Sequence, residues 1–219
     1  MNSLTEENYI KAIYKLCEKS SGAVTTNAIA DKVRTKAASV SDMLKKLSKK
    51  KLINYQKYQG VTLTANGEKI ALAIVRKHRL WELFLVQKLS FKWDEVHDIA
   101  EQLEHIQSDE LIKRMDKFLD FPRFDPHGDP IPDEKGKLHI QQSKLLSQIK
   151  KGKHCIIIGV VDHSPAFLRY LDKTGLELGN ELKIGDRVDY DQSMFIQFKN
   201  KLSTHISHDV AKNILVLEK

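Results

Sequence analysis

Several residue patterns that mark common protein classes are missing from this chain of 219 residues. Its two cysteines, Cys17 and Cys155, lie far apart and form no short-spaced motif, which excludes a cysteine-based zinc site. We expect both cysteines to be small hydrophobic residues buried in the core. No apolar run approaches the roughly 20 residues of a membrane helix. The N-terminus has neither the basic start nor the apolar core of a signal peptide, so we expect a cytoplasmic protein without membrane partners.

Patterns typical of enzymes are also missing. The sequence contains no nucleophile constellation and no Gly-rich phosphate loop. We therefore predict that the protein is not an enzyme.

Positive charge is concentrated in the first third of the chain. Residues 1–73 hold 13 of the 36 basic and 6 of the 29 acidic residues, a net charge of +7, and the remainder is neutral. A basic domain on a neutral body is typical of a nucleic-acid-binding protein. The alternative is a basic face that serves only solubility.

Residues 1–73 show the pattern of a winged helix-turn-helix. One helix is predicted after an N-cap at Thr5, a second from Thr26, a third over residues 39–52, and two strands around Gln59 and Gly60. The third helix would read bases with small polar side chains while lysines hold phosphates. The predicted DNA-binding residues are Lys36, Ser39, Ser41, Asp42, Lys45, Lys46 and the wing residue Lys57. Similar shapes also occur in scaffolds that bind no DNA.

Residues 74–140 are predicted to form a helical domain. The segment from Gly67 to Leu89 is apolar on most sides, which is typical of a helix in a core or a subunit interface. Two more helices are predicted, over residues 94–106 and from an N-cap at Ser108. Four of the five prolines then fall in residues 122–132 and predict a rigid loop.

A group of possible metal ligands follows the long helix. If residues 94–105 are helical, His97, Glu101, Glu104 and His105 share one face, and His78 and Glu82 repeat the four-residue spacing on the preceding helix. Burying these side chains unpaired would cost several kcal/mol in typical cases. A divalent cation would satisfy them together, whereas an exposed charged face would need none.

Residues 150–219 change to the period of β-strands. Short β-branched runs alternate with Gly, Asp and Asn turns, and one helical segment separates the first two runs. This pattern predicts a small antiparallel SH3-like barrel. The whole chain is therefore predicted to be mainly α with a small β module.

The residues quoted above resemble the metal-dependent repressors of the diphtheria toxin repressor family, including its manganese-sensing branch. The similar segments are TEENYIKAIYKL, IVRKHRLWELFL, EVHDIAEQLEHIQSDEL, FDPHGDPIP and the C-terminal module, which together cover almost the whole chain. The resemblance implies a homodimer that binds double-stranded operator DNA when loaded with Mn(II) or Fe(II) and represses metal-uptake genes. Mn(II) is the expected cofactor, with Fe(II) as the alternative.

The resemblance also implies two metal sites. The primary site corresponds to Asn8, Glu101, Glu104 and His105, and the ancillary site to His78, Glu82 and His97, completed by Asp162 or His163. Three positions depart from relatives: Asn8 replaces aspartate or methionine, Glu101 replaces the cysteine of the iron branch, and Lys11 replaces a carboxylate of the manganese branch. A carboxylate at position 101 favours a hard cation such as Mn(II).

The mechanism expected from these sites is coupled ordering. Without metal, the carboxylates of Glu101 and Glu104 should repel each other and leave the first helix loosely held. A cation would neutralise them, tie that helix through Asn8 and fix the spacing of the two recognition helices. Two alternatives stay open at this point: a metal-independent DNA-binding regulator with a structural ion, and a carboxylate-bridged metalloenzyme.

Overall fold

A computed structural model describes residues 3–20, 22–56 and 59–219 of the chain. It divides into two compact units. The first comprises residues 1–81, 100–115 and 132–138, and the second comprises residues 82–99, 116–131 and 139–219. The predicted class, mainly α with a small β module, is confirmed by the order of the elements.

Three helices and a hairpin open the first unit. They are α1 (Leu4–Ser20), α2 (Thr26–Lys32), α3 (Ala37–Lys49), β1 (Ile53–Gln56) and β2 (Gly60–Leu63). The apolar stripes of the helices converge on one core, in which Ile10, Ile29 and Leu44 are fully buried. Thr25 caps α2 by accepting a hydrogen bond from the amide of Ala28.

Two helix starts differ from the sequence prediction. The cap of α1 is Ser3, not Thr5: the Ser3 hydroxyl accepts from the Glu6 amide, and the Glu6 carboxylate accepts from the Ser3 amide. This reciprocal pair is a capping box. The third helix begins at Ala37, two residues before the predicted Ser39, because the turn after α2 closes within residues 33–36.

The wing is a short antiparallel hairpin. β1 and β2 pair with Ile53 opposite Leu63, and Val24 adds a further bridge by exchanging two backbone hydrogen bonds of 2.9 Å with Val61. The predicted wing contact Lys57 lies outside the described residues.

Three further helices carry the candidate ligands. They are α4 (Ala65–Leu89), α5 (His97–Leu103) and α6 (Asp109–Phe118). Gly67 allows α4 to start against the backbone of Leu52, since a Cβ there would lie 2.0 Å from the Leu52 carbonyl oxygen. Ser108 caps α6 as predicted. The prediction of one helix over residues 94–106 is wrong: α5 ends at Leu103, and Glu104 and His105 lie in the following turn.

The second unit contains a six-stranded antiparallel sheet. Its strands are β3 (Lys144–Leu145), β4 (His154–Val160), β5 (Glu181–Arg187), β6 (Met194–Phe198), β7 (Ser203–Ile206) and β8 (Ile214–Glu218), in the order β3-β8-β4-β5-β6-β7. Two helices, α7 (Pro165–Thr174) and α8 (His208–Ala211), complete it. Ser164 caps the start of α7, and Gly175 ends it in the left-handed conformation.

The core of the second unit consists of the inward side chains of the sheet and of α7. Leu168, Leu182, Ile196 and Val216 are among its buried members, and Cys155 lies with them. Burial raises the pKa of the Cys155 thiol to about 11, so this cysteine is an unreactive hydrophobe, as expected, whereas Cys17 is only half-buried. None of the described helices combines the length and apolar character needed to cross a membrane.

Candidate DNA-binding face and metal centres

The N-terminal half of α3 presents an accessible polar face. Lys36, Ser39, Asp42 and Lys45 are exposed, whereas Val40, Leu44 and Leu47 point into the core. Asp42 and Lys45 pair with each other at 3.0 Å. The Ser41 hydroxyl donates to the carbonyl of Ala37. The structure thus brings six of the predicted DNA-binding residues to one helix and its start, and their base and phosphate contacts stay predictions.

Lys46, one of the predicted DNA-binding residues, contacts a carboxylate of α1. It and Lys50 lie 3.2 and 2.8 Å from Oε1 of Glu6, whose side chain is buried at the start of α1. The hydrogen bond from Lys50 is the main cause that lowers the pKa of Glu6 to about 2. Glu6 therefore ties α1 to the end of the helix that carries the predicted base-reading residues.

A cluster in the first unit gathers Lys11, His78, Glu101 and Glu104, and we call it the Lys11 cluster. The Lys11 ammonium donates to Glu101 Oε1 at 2.7 Å and to Glu104 Oε2 at 2.5 Å. Lys11, His78 and Glu104 are buried. The expectation that Glu101 and Glu104 repel each other without metal is wrong, because Lys11 already places a positive charge between them.

His78 adds a donor to the Lys11 cluster. Its Nδ1 lies 2.6 Å from Glu104 Oε2, and Lys11 Nζ lies 3.3 Å from the same nitrogen. The short distance to a carboxylate means that Nδ1 carries the proton and donates it, so only Nε2 of this ring could offer a lone pair to a metal ion. Because the Lys11 ammonium already contacts both carboxylates, the point between them does not fit a divalent cation as it stands.

The other predicted primary ligands, Asn8 and His105, are placed differently from each other. Asn8 is exposed on α1, whereas its neighbour Glu7 is buried. His105 Nδ1 donates to Glu7 Oε2 at 2.7 Å, and the Gln107 amide donates to Glu7 Oε1. Glu7 is thus the side chain of α1 that contacts His105, and ligation by Asn8 stays a prediction.

A second cluster lies entirely in the second unit and consists of Glu82, Asp125 and His127. One ligand atom from each lies within 4.8 Å of the others, and all three residues are buried. Carboxylate oxygens and an imidazole nitrogen are donors that suit Mn(II) and Fe(II). We call this group the His127 cluster.

The ring of His127 is oriented for ligation. Its Nε2–H donates to the backbone carbonyl of Trp93 at 2.8 Å, which leaves the lone pair on Nδ1. Nδ1 is buried without a hydrogen-bond partner among the described residues, and it faces Glu82 Oε2 at 3.8 Å. A buried nitrogen in this state lacks the compensation that a bound cation would supply, so the His127 cluster fits a divalent metal ion.

The loop that carries His127 is fixed by its own backbone. Asp125 Oδ1 accepts from the amides of His127 and Asp129, and the His127 carbonyl accepts from the Val160 amide of β4. Gly128 has φ +90°, and a Cβ there would lie 2.1 Å from the Ile158 carbonyl oxygen. Only glycine allows this approach, which holds the loop against β4.

The predicted ancillary ligands divide between the units. His78 belongs to the first unit, and Glu82, His97, Asp162 and His163 belong to the second. His97 Nδ1 lies 3.4 Å from Glu82 Oε1. The ring of His163 stacks on His127 with centroids 4.9 Å apart, and desolvation lowers the pKa of His163. Asp162 accepts a hydrogen bond from the Ser164 amide near the start of α7.

Asp125 and His127 are the candidate ligands that sequence reasoning missed. They belong to FDPHGDPIP, which the prolines identified only as a rigid loop. The available sign was a carboxylate and a histidine two residues apart beside a glycine. Their meeting with Glu82 is a tertiary contact that helical spacing does not reveal.

Comparison with known families covers most of the chain. Residues 1–61 match the iron-dependent repressor N-terminal DNA-binding domain, residues 64–133 match the iron-dependent repressor metal-binding and dimerisation domain, and residues 144–218 match the FeoA domain. The fold is accordingly a winged helix-turn-helix, a helical dimerisation domain and a C-terminal SH3-like module.

Individual relatives agree with these matches. The iron-dependent repressor IdeR of Mycobacterium leprae is 35% identical over 135 residues, which span 60% of this chain and 58% of that protein. A solved structure described as a manganese-dependent transcriptional repressor in complex with manganese is 34% identical, with a TM-score of 0.89 over 98% of this chain and 100% of the other. The manganese regulator SloR is 32% identical, with a TM-score of 0.73 over 98% of each chain.

Proposed function

The chain belongs to the iron-dependent repressor family, and from that premise we propose that it is a transcriptional repressor that binds operator DNA as a homodimer when loaded with Mn(II) or Fe(II). Its targets are then genes of metal uptake. The match to IdeR spans about three-fifths of that protein, so the proposal depends on the sites of this chain rather than on its relative's name.

The observation that carries this function is the His127 cluster. Glu82 and Asp125 bring two carboxylates to a buried place, and His127 turns an unprotonated nitrogen towards them. A divalent cation would supply the positive charge that these groups need. We propose that Glu82, Asp125 and His127 hold the activating ion, with His97 beside Glu82.

Metal dependence of DNA binding follows from where these ligands are attached. Glu82 lies on α4, a continuous helix that starts next to the wing, and the other two ligands lie on the loop held by β4. Joining Glu82 to that loop restrains α4. Because α4 carries a metal ligand and also begins beside the wing, restraining this helix is a physical means of coupling ion binding to DNA binding.

The preferred metal follows from the donor set. Glu82, Asp125 and His127 offer oxygen and nitrogen without sulfur, which suits Mn(II) and Fe(II). Zn(II) should also bind, but it prefers fewer ligands and should activate less. We propose Mn(II) as the resident ion, and we propose no catalytic activity.

A homodimer is supported by exposed apolar side chains in the second unit. Leu89, Phe118 and Phe121 are each more than half exposed at the ends of α4 and α6. The Phe84 ring contacts Phe118 at 6.3 Å between centroids. Exposed large apolar groups of this kind are typical of subunit interfaces. Sedimentation should show Phe118→Glu as a monomer, whereas Leu202→Glu, a control at an exposed leucine of the sheet module, stays dimeric.

The proposed function is tested by selecting duplexes from a random pool with the Mn(II)-loaded protein. Affinity for the selected duplex is then measured by fluorescence anisotropy with Mn(II), Fe(II), Zn(II) or a chelator. We expect Mn(II) and Fe(II) to raise the affinity by a factor of roughly 5–150. Selection of a duplex that binds equally well in chelator would instead favour the metal-independent regulator.

A further inference from the structure

The Lys11 cluster has the composition of a metal site but holds its own cation. Glu101 and Glu104 approach one point from α5 and the turn after it, His78 approaches from α4, and Lys11 reaches them from α1. The Lys11 ammonium lies at 2.7 and 2.5 Å from the two carboxylates. A monovalent charge fixed to the chain thus occupies the position that a bridging ion would take.

We propose that Lys11 is a built-in substitute for a metal ion, so that the Lys11 cluster ties α1 to α4 and α5 without metal and is not a metal-sensing site. The inference deepens the proposed function, because it assigns metal sensing to the His127 cluster alone.

Burial makes this arrangement exclusive. Lys11 is 4% exposed and Glu104 is fully buried, whereas the Glu101 side chain is 38% exposed, so an ion could not lie between the two carboxylates unless the lysine left. Placing a divalent cation beside the buried ammonium would bring like charges together in a medium of low dielectric. Expelling the ammonium would leave the two carboxylates without their positive partner. The point between the two carboxylates therefore excludes a second cation for as long as Lys11 is present.

One atom indicates that the lysine replaces an ion incompletely. Among the described residues, Glu104 Oε1 is buried without a hydrogen-bond partner, and His105 Nε2 lies 3.9 Å from it. The Lys11 ammonium contacts only the other oxygen of that carboxylate. Removing the lysine should therefore leave two carboxylates and an imidazole that accept a divalent cation, because these donors suit Mn(II).

The test counts Mn(II) ions per chain by equilibrium dialysis in the absence of DNA. We expect Lys11→Met to bind one ion more than the wild type, and its melting temperature to fall in chelator and recover with Mn(II). Lys11→Arg keeps the charge and should gain no ion. Lys50→Met is the matched control, since it removes a lysine from the buried carboxylate of Glu6, which belongs to no candidate metal-binding group among the described residues.

A folded Lys11→Met protein that binds no additional ion would overturn the inference. Should that variant fail to fold, Glu104→Gln in the otherwise unchanged chain decides the question. It should bind as many ions as the wild type, and a loss of one ion would show that the native cluster is a metal site. Ion counts do not depend on DNA binding, so failure of the proposed repressor function would be seen separately.

Discussion

Replacing Glu6 by glutamine should destabilise the first unit in a pH-dependent way. Folding lowers the pKa of Glu6 from 4.5 to about 2, chiefly through the hydrogen bond from Lys50. A carboxylate with a lowered pKa stabilises the fold fully above pH 4.5, and this contribution disappears as the pH falls towards 2. The full shift would correspond to roughly 3 kcal/mol. Because Lys46 and Lys50 are 56% and 38% exposed, solvent screening should reduce it to about 1–2 kcal/mol.

Urea unfolding between pH 7 and pH 3 measures this effect. In a Trp93→Phe background, the remaining tryptophan is Trp81, which reports on the first unit. We expect the difference in free energy of unfolding between this background protein and its Glu6→Gln variant to shrink steadily below pH 4.5 and to weaken in high salt. Glu134→Gln, at an exposed carboxylate of the same unit, is the control. A difference that is constant with pH would refute the ion-pair explanation.

Two further predictions concern the site loop and the DNA-binding face. Gly128→Ala should destabilise the second unit by at least about 2 kcal/mol and weaken Mn(II) binding. At Gly152, which also has a positive φ of +83°, an added Cβ would meet no described residue within 4 Å other than its chain neighbours, so Gly152→Ala should show only the smaller backbone cost; thermal unfolding compares the two variants. Lys45→Ala should weaken binding to all duplexes and reduce the salt slope by about one unit, while Ser39→Ala should change base preference at an unchanged slope. Competition assays at two salt concentrations measure both effects. A changed base preference in Lys45→Ala, or a changed salt slope in Ser39→Ala, would contradict these roles.

Long periodic segments were predictable from the sequence. The sequence predicts α3 from its apolar stripe, α4 from its long apolar segment and the strands of the C-terminal module from their β-branched runs. Each of these patterns arises because the buried side chains of a helix or strand recur at its own period. Element ends were less predictable. Thr5 and Ser3 are both good caps, and the choice depends on Glu6 standing three residues after Ser3. β7 could not be predicted from such a run, because Ser203–Ile206 has little apolar character.

The candidate sites were only partly predictable, since they depend on contacts between distant segments. Helical spacing drew attention to Glu101 and Glu104, but nothing local shows that Lys11, about 90 residues earlier, lies between them. Likewise, Glu82 was found as part of a helical pair, whereas its buried neighbours Asp125 and His127 belong to an irregular loop. The packing that joins these segments is a property of the whole fold.

The central claim is that ion binding at the His127 cluster activates DNA binding. The most direct measurement is the ratio of duplex affinities with Mn(II) and with chelator in His127→Ala, compared with the wild type and with His139→Ala, a control at an exposed histidine. We predict a ratio of roughly 5–150 for the wild type and the control. For His127→Ala we predict a ratio near one, with the chelator affinity unchanged. A wild-type ratio in His127→Ala would contradict the claim.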